Sequence, residues 1–379
     1  MKVLMLSFTI GPMEPNYLKP LVTSLLQTGQ VSDITLVIPE YADVPYFIED
    51  LGIRNFEVRK FRFWSGLPRA MLGALNPQFY HRLVKDIETI DPDIVHIVFE
   101  LRVPFLLVSQ LHQKYPIVST IHEPRPILHT VLKSVLLNPI QEANCKLIMK
   151  SSDKVIVHGQ NHRQYLLAKR IPNHKIRIIQ LGAFSSLAPL RNDEVKTQPE
   201  KILFFGRITP YKGIEYLIEA GKLIKQQFSE VNITIAGEGD FDKYKGLIEG
   251  DSHFTICNRF IPDNEVATLF QRASIVVLPY IDGSQSGIIS IAGSFKKPVV
   301  ATDVGNFAEM VEHGKTGFLV PPKDANALAE AIIELLNNDK LRQEMGENAY
   351  RVLSDKFSWD NIAQKTLQVY QEAIEARKS

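Results

Sequence analysis

The chain has 379 residues, 45% of them hydrophobic and 22% charged, with 43 Lys and Arg against 42 Asp and Glu. This ordinary balance excludes a disordered chain and a dedicated nucleic-acid binder, and the longest apolar runs, Val103–Val108 and Ile275–Pro279, fall far short of a membrane span. The length exceeds one ordinary core, so two domains are expected, and two isolated cysteines, Cys145 and Cys257, offer neither a disulfide framework nor metal-binding spacing, which fits a reducing cytosol.

The opening stretch MKVLMLSFTIGP lacks a small-residue cleavage site and reads as a first buried strand rather than a signal peptide. Strand patterns follow at Lys2–Phe8, Asp33–Ile38, Ile94–Phe99, Pro116–Ile121, Lys154–His158 and Lys175–Ile179, with helical patterns at Phe79–Thr89, Leu101–Lys114 and His162–Lys169 between them. Strand, helix and strand at this spacing predict a parallel sheet covered on both faces. From Arg59 to Lys85 six basic residues and no acidic one are interleaved with aromatic and aliphatic side chains. This segment reads either as a solvated loop and helix or as a contact for an anionic membrane surface. Residues 186–200 are polar, contain proline and read as a linker closing a first domain at 1–185.

The alternation then restarts. Strands are predicted at Ile202–Phe205, Asn232–Ala236, His253–Cys257, Ile275–Leu278 and Pro298–Thr302, and helices at Ile214–Gln227, Asn264–Arg272, Ser286–Phe295 and Ala325–Leu336. A second domain therefore covers 201–356, and 357–379 forms a long amphipathic helix. The architecture expected is α/β, with two doubly wound Rossmann-like domains facing a cleft. Charge is asymmetric: residues 1–185 carry 21 Lys and Arg against 15 Asp and Glu, and residues 186–379 carry 22 against 27.

Open α/β sheets bind ligands beyond the carboxyl ends of their strands, so those positions carry the candidates. Gly206-Arg207 and Lys212-Gly213 leave the strand at 202–205 with two cations bracketing a tight turn, chemistry that suits a diphosphate. In Asp282-Gly-Ser284-Gln-Ser286-Gly287-Ile288-Ile289, small residues open a helix whose amides can cradle phosphate; the plainer reading is a helix start capped by Ser284 or Ser286. Gly237-Glu238-Gly239 is a lone Gly-x-Gly, and neither a dinucleotide fingerprint nor a nucleotide-triphosphate loop is present. In the first half, Gly11 permits close backbone approach, and His122 ends a strand where it can hydrogen-bond a polar ligand, with Glu100 and His158 as weaker candidates.

The segments GRITPYKGIEYLIEA, VNITIAGEGD, ASIVVLPY and KPVVATDVGNFAEMVEHGKTGFLVPPKD, in this order, resemble the C-terminal half of the retaining GT-B glycosyltransferases of family 4. FSWDNIAQKTLQVY is similar to the helix that crosses back to the first domain in that family, and Gly11, His122 and SSDKVIVHGQNH match its N-terminal half more loosely. The resemblance implies transfer of a sugar from a UDP- or GDP-linked donor, with retention of configuration and without a metal or other cofactor. The acceptor expected is a glycan, a lipid-linked sugar or a small molecule, as in polysaccharide or glycolipid biosynthesis; the basic aromatic segment from Arg59 to Lys85 suggests one at a membrane, so the location expected is cytoplasmic, or peripheral at the membrane's inner face. The resemblance places the family's diphosphate-binding Arg and Lys on Arg207 and Lys212, its helix-start amides at Gly287, Ile288 and Ile289, its donor-sugar histidine on His122, and the base near Arg259, Phe260 and Ile261. One departure stands out: at the family's two glutamates this chain has Ser284 and Ala292, and the nearest acid is Asp282. That departure motivates a second reading, a non-catalytic sugar-nucleotide binder; a sugar-nucleotide epimerase of the same two-domain architecture is a third.

Overall fold

In a computed structural model, the described residues are 1–7, 15–40, 53–61, 77–99, 104–124, 138–183 and 187–378. They divide into two compact units. Of the described residues, those up to Gly182 and those from Trp359 onward form the first, and those from Ala183 to Ser358 form the second.

The first unit is built on strands β1 (Lys2–Ser7), β2 (Asp33–Pro39), β3 (Phe56–Phe61), β4 (Ile94–Phe99), β5 (Ile117–Ile121), β6 (Lys154–Val157) and β7 (Ile176–Ile178). They form one parallel sheet in the order β3-β2-β1-β4-β5-β6-β7. Every residue of β4, β5 and β6 is buried, as parallel strands covered on both faces require. Helices α1 (Pro15–Gln27), α2 (Pro77–Glu88), α3 (Phe105–His112), α4 (Asn138–Ser151) and α5 (Gln160–Ala168) supply the crossovers. Strand β3 takes in Arg59 and Lys60, the start of the basic segment, as an edge strand whose charged residues Glu57, Arg59 and Lys60 are exposed. Edge strands carrying charge resist pairing with other chains.

The C-terminal helix, Trp359–Glu375, packs against α1 and buries Ile362, Leu367, Val369 and Tyr370 in the first unit's core. Polar contacts set its register. Ser24 Oγ donates to Asp360 Oδ1 at 2.8 Å, and Glu372 pairs with Lys154 at 3.2 Å and Arg177 at 2.5 Å. Deeper in, the Tyr370 hydroxyl meets His96 Nδ1 at 2.6 Å, while His96 Nε2 meets Thr120 Oγ1 at 2.8 Å. Burial pushes His96 down to about 3, so the ring stays neutral and serves as a hydrogen-bond hub. Tyr370→Phe is therefore expected to strand a buried ring nitrogen, lowering stability by about 1–3 kcal/mol in denaturant titration with little change in the slope.

The second unit contains β8 (Lys201–Phe205), β9 (Asn232–Ala236), β10 (Phe254–Cys257), β11 (Ile275–Leu278), β12 (Val299–Thr302) and β13 (Gly317–Val320), again all parallel, in the order β10-β9-β8-β11-β12-β13. Its helices are α6 (Ile214–Ile224), α7 (Asp242–Lys245), α8 (Asp263–Arg272), α9 (Gly287–Ser294), α10 (Phe307–Met310), α11 (Ala325–Asn337) and α12 (Asp339–Lys356). Strand order reverses between β8 and β11, which makes their carboxyl ends the topological switch point of this sheet.

Residues 187–200, read above as a linker, are fastened to this second unit. Leu187 is buried in its core, Asn192 and Gln271 exchange two hydrogen bonds, and the Gln198 amide donates to Arg272 O at 2.8 Å. Lys297 Nζ reaches Thr197 Oγ1 at 2.7 Å and the Gln271 carbonyl at the end of α8 at 2.9 Å. Composition alone shows the polarity of this stretch but not these bonds. Gly11, Glu100 and most of the basic segment, residues 62–76, lie outside the described residues, as does residue 186 of the linker.

Candidate functional site

At the switch point of the second unit, β8 ends at Phe205 and the chain bends at Gly206, whose φ is 131°, before Arg207 and Ile208. It runs alongside Gly237-Glu238-Gly239, with the Ile208 amide donating to Glu238 O at 2.9 Å. A side chain at Gly237 would meet the Gly206 carbonyl at 2.1 Å, and one at Gly239 would meet the Ile208 carbonyl at 2.1 Å. The Gly-x-Gly is thus explained by close backbone packing that holds the Arg207 segment. Arg207 itself is exposed and makes no ion pair among the described residues.

The chain then turns through a 3-10 turn, Pro210–Lys212, and enters α6 after Gly213, whose φ is 64°. This turn is bolted to the segment after β11: the Ile281 amide donates to Tyr211 O at 2.8 Å, and Gly213 lies against the Pro279 carbonyl. The bolt brings Lys212 Nζ to 3.6 Å from the centre of the Tyr280 ring and 5.0 Å from that of Tyr211. Tyr280 is buried, and its hydroxyl lies 3.3 Å from Ser286 Oγ, the N-cap of α9. Lys212 and the start of α9, singled out separately in the sequence, are therefore joined through one tyrosine.

Lys212 has no hydrogen-bonded or anionic partner among the described residues. Its charge rests on aromatic faces alone, and burial pulls its ammonium down from the usual lysine range to about 7. A buried ammonium is ordinarily paired, so this one has capacity for an anion that no described residue fills. Thr209 adds a buried hydroxyl with no partner among the described residues.

The α9 cradle is narrower than three open amides. Ser286 Oγ accepts from the Ile288 amide at 3.4 Å, and the Ile289 amide turns back to the Ser286 carbonyl at 3.3 Å. The Gly287 amide remains without a hydrogen bond among the described residues. Ser284 is buried, and its carbonyl accepts from the Asn306 amide at 2.8 Å. Asp282 Oδ1 accepts from the Gly283 amide at 2.9 Å, and Ala292 is fully buried in the core.

Beyond β10, Arg259 pairs with Glu265 at 2.5 Å and Ile261 is buried. Phe260 is 74% exposed, an aromatic face held out at the carboxyl edge of the sheet. Glu238 is exposed on the neighbouring loop. Among the described residues no group of three or more His, Cys, Asp and Glu is placed to hold a metal ion, and no helix is long and apolar enough to cross a membrane.

In the first unit, His122 follows β5 and is not a free ring. Its Nε2 lies 3.0 Å from Val98 O and its Nδ1 3.0 Å from His158 Nε2, and Phe99 stacks on its face at 4.6 Å. The weaker candidate, His158, is thus a direct partner of the stronger one. Tyr280 and this pairing were missed by the sequence reading. An aromatic after a buried strand reads as core, and the β5–β6 register that sets the two histidines side by side is not written in either strand alone.

The comparisons agree with this architecture. Residues 21–183 match the family model Glycosyltransferase Family 4, and residues 189–352 match the model Glycosyl transferases group 1. The chain is 32% identical over 179 residues to a phosphatidyl-myo-inositol mannosyltransferase of Mycobacterium leprae, covering 45% of this chain and 46% of that protein. Overall, the chain spans about half the length of the curated relatives it matches. A glycosyltransferase of Rickettsia africae shares the fold with a TM-score of 0.74 at 20% identity, covering 99% of this chain and 98% of that one. The Anabaena protein HepE, crystallised with UDP and glucose, aligns with a TM-score of 0.69 at 20% identity over 98% of this chain and 99% of that one. With one model on each half and the GT-B fold over its whole length, the chain belongs to the family 4, group 1 glycosyltransferases.

Proposed function

We propose that this chain is a retaining glycosyltransferase that moves a sugar from a nucleoside diphosphate donor, UDP- or GDP-linked, to a hydroxyl of a glycan, lipid-linked or small-molecule acceptor. The observation that carries the reading is Lys212, a largely buried ammonium without an anionic partner among the described residues, joined through Tyr280 to the N-cap of α9. The donor diphosphate lies against Arg207, Lys212 and the Gly287 amide. These groups stabilise the charge that grows on the leaving diphosphate, and they supply in fixed form what a divalent ion would otherwise supply. The leaving phosphate accepts the acceptor's proton. Phe260 offers its face to the base, as exposed aromatic rings do for nucleobases. The donor class is supported by HepE, which was solved with UDP and glucose, and a lipid-linked acceptor by the mannosyltransferase whose name specifies phosphatidyl-myo-inositol.

A melting-point screen over nucleoside diphosphates tests the donor half directly. A ligand present at 100 times its dissociation constant adds about 2.7 kcal/mol to folding stability, so one of UDP or GDP is expected to raise the melting temperature measurably. No shift with any nucleoside diphosphate or nucleotide sugar overturns the assignment. Retention is checked by NMR of the transferred sugar's anomeric carbon, and an inverted product excludes it.

A further inference from the structure

His122 and His158 end neighbouring strands of the first unit, and their four ring nitrogens are all spoken for. His122 Nε2 lies 3.0 Å from the Val98 carbonyl, and His158 Nδ1 lies 2.8 Å from the Ile179 carbonyl. The two inner nitrogens, His122 Nδ1 and His158 Nε2, face each other at 3.0 Å. A carbonyl oxygen only accepts, so each outer nitrogen must carry a hydrogen. If both rings are neutral, the inner nitrogens then meet lone pair to lone pair. Moving a proton inward on either ring instead turns a lone pair onto a carbonyl. Every neutral arrangement therefore loses one of the three contacts. A third proton satisfies all of them, leaving one positive charge spread over two rings.

We infer that His122 and His158 form a proton-sharing pair, with His158 the positioning residue that fixes the ring plane and protonation of His122. The importance of His122 itself rests on the glycosyltransferase reading; the pairing does not. The stacked face of Phe99 suits a delocalised cation. Phe99 lies stacked on His122 at an interplanar angle of 16°, and Tyr17 of α1 approaches the two rings edge-on at 4.9 and 6.2 Å. Other titratable groups around the pair are His96 of β4, His162 of α5 and Glu123, next in the chain, which has a buried carboxyl oxygen. Of these, Glu123 is the one acidic side chain.

Burial opposes the shared proton, pushing His122 well below the usual histidine value and His158 to about 4. The charge-assisted N–H···N bond favours it. The outcome is a one-proton switch whose midpoint belongs to the pair and not to either ring. With the proton bound, the His122 edge is locked between Val98 and His158. With the proton released, one contact breaks and the ring gains freedom to engage a polar ligand.

The test uses the full chain labelled with ¹⁵N in its 10 histidines and long-range proton–nitrogen NMR from pH 4 to 8. Two histidines are expected to titrate together with a single midpoint and to show through-bond nitrogen–nitrogen coupling at the acidic end. His158→Gln is expected to abolish the coupling and move the His122 midpoint by a pH unit or more. Independent midpoints, or absence of coupling over the whole range in the wild type, overturn the pair even if His158→Gln fails to fold. Failure of wild-type protein to bind any nucleotide sugar would sink the glycosyltransferase reading and leave the spectroscopic result standing.

Discussion

Lys212→Met is expected to yield a protein that melts higher than wild type and transfers sugar about 100- to 1000-fold more slowly, the loss typical of removing one charge-stabilising donor. The two effects have one cause. In the free protein the ammonium rests on the Tyr280 and Tyr211 rings and burial holds its pKa near 7. An unfolded lysine keeps its proton to about 10.4, so between these values the unfolded state binds more protons than the folded one. Stability of the wild type therefore rises with pH from about 7 upward, and below about 7 the full cost of the buried charge is present. Met keeps the apolar stem and removes both the cost and the slope. A structural lysine gives the opposite result: its loss lowers the melting point and leaves turnover intact.

The same charge fixes how donor binding depends on pH. A diphosphate bound between ribose and sugar has no proton to lose near neutrality, so Lys212 supplies the titration. Affinity is highest below about pH 7, where the ammonium is intact, and weakens by up to about tenfold per pH unit above it. Lys212→Arg, which stays charged throughout, should flatten this slope while keeping the binding it retains. Calorimetric titration with a nucleotide sugar from pH 6 to 9 reads both. An unchanged slope in Lys212→Arg would assign the titration to another group.

Much of the architecture was legible because parallel strands buried on both faces appear as predominantly apolar runs. Ile94–Phe99, Asn232–Ala236 and Ile275–Leu278 have the bounds expected for them. Strand β3 was not seen, since an edge strand carrying Glu57, Arg59 and Lys60 has no such run. Strand β13 escaped because it is four residues long and opens on glycine. At the site, Arg207 and Lys212 stood out as cations beside glycines. What remained hidden was long-range: the Tyr211–Ile281 bond between two loops, the position of Tyr280 beneath the ammonium, and the partnership of His122 with His158. These depend on which strands are neighbours and in what register, and neither is encoded in a local pattern.

Gly213→Ala tests that long-range assembly without touching a charged group. The residue sits at φ 64°, ψ 34°, a left-handed conformation that costs a side chain about 1–2 kcal/mol. Space adds to the strain: a Cβ there would lie 2.0 Å from the Pro279 carbonyl and 3.3 Å from Ile281 Cγ2. Relief requires the Lys212 turn and the segment after β11 to part, which breaks the Ile281-to-Tyr211 bond and withdraws the ammonium from Tyr280. Strain and overpacking together amount to on the order of 3 kcal/mol. In a unit of this size that is a fall of roughly 6–12 °C in melting temperature. Gly206→Ala is the matched control. Gly206 also has positive φ, at 131°, but a Cβ there meets nothing within 4 Å. It carries the conformational cost alone and leaves the bolt between the loops in place. Nucleotide-sugar affinity should therefore drop far more in Gly213→Ala than in Gly206→Ala. Equal losses in the two variants would mean that backbone strain alone, and not the joining of the two loops beneath Lys212, governs the site.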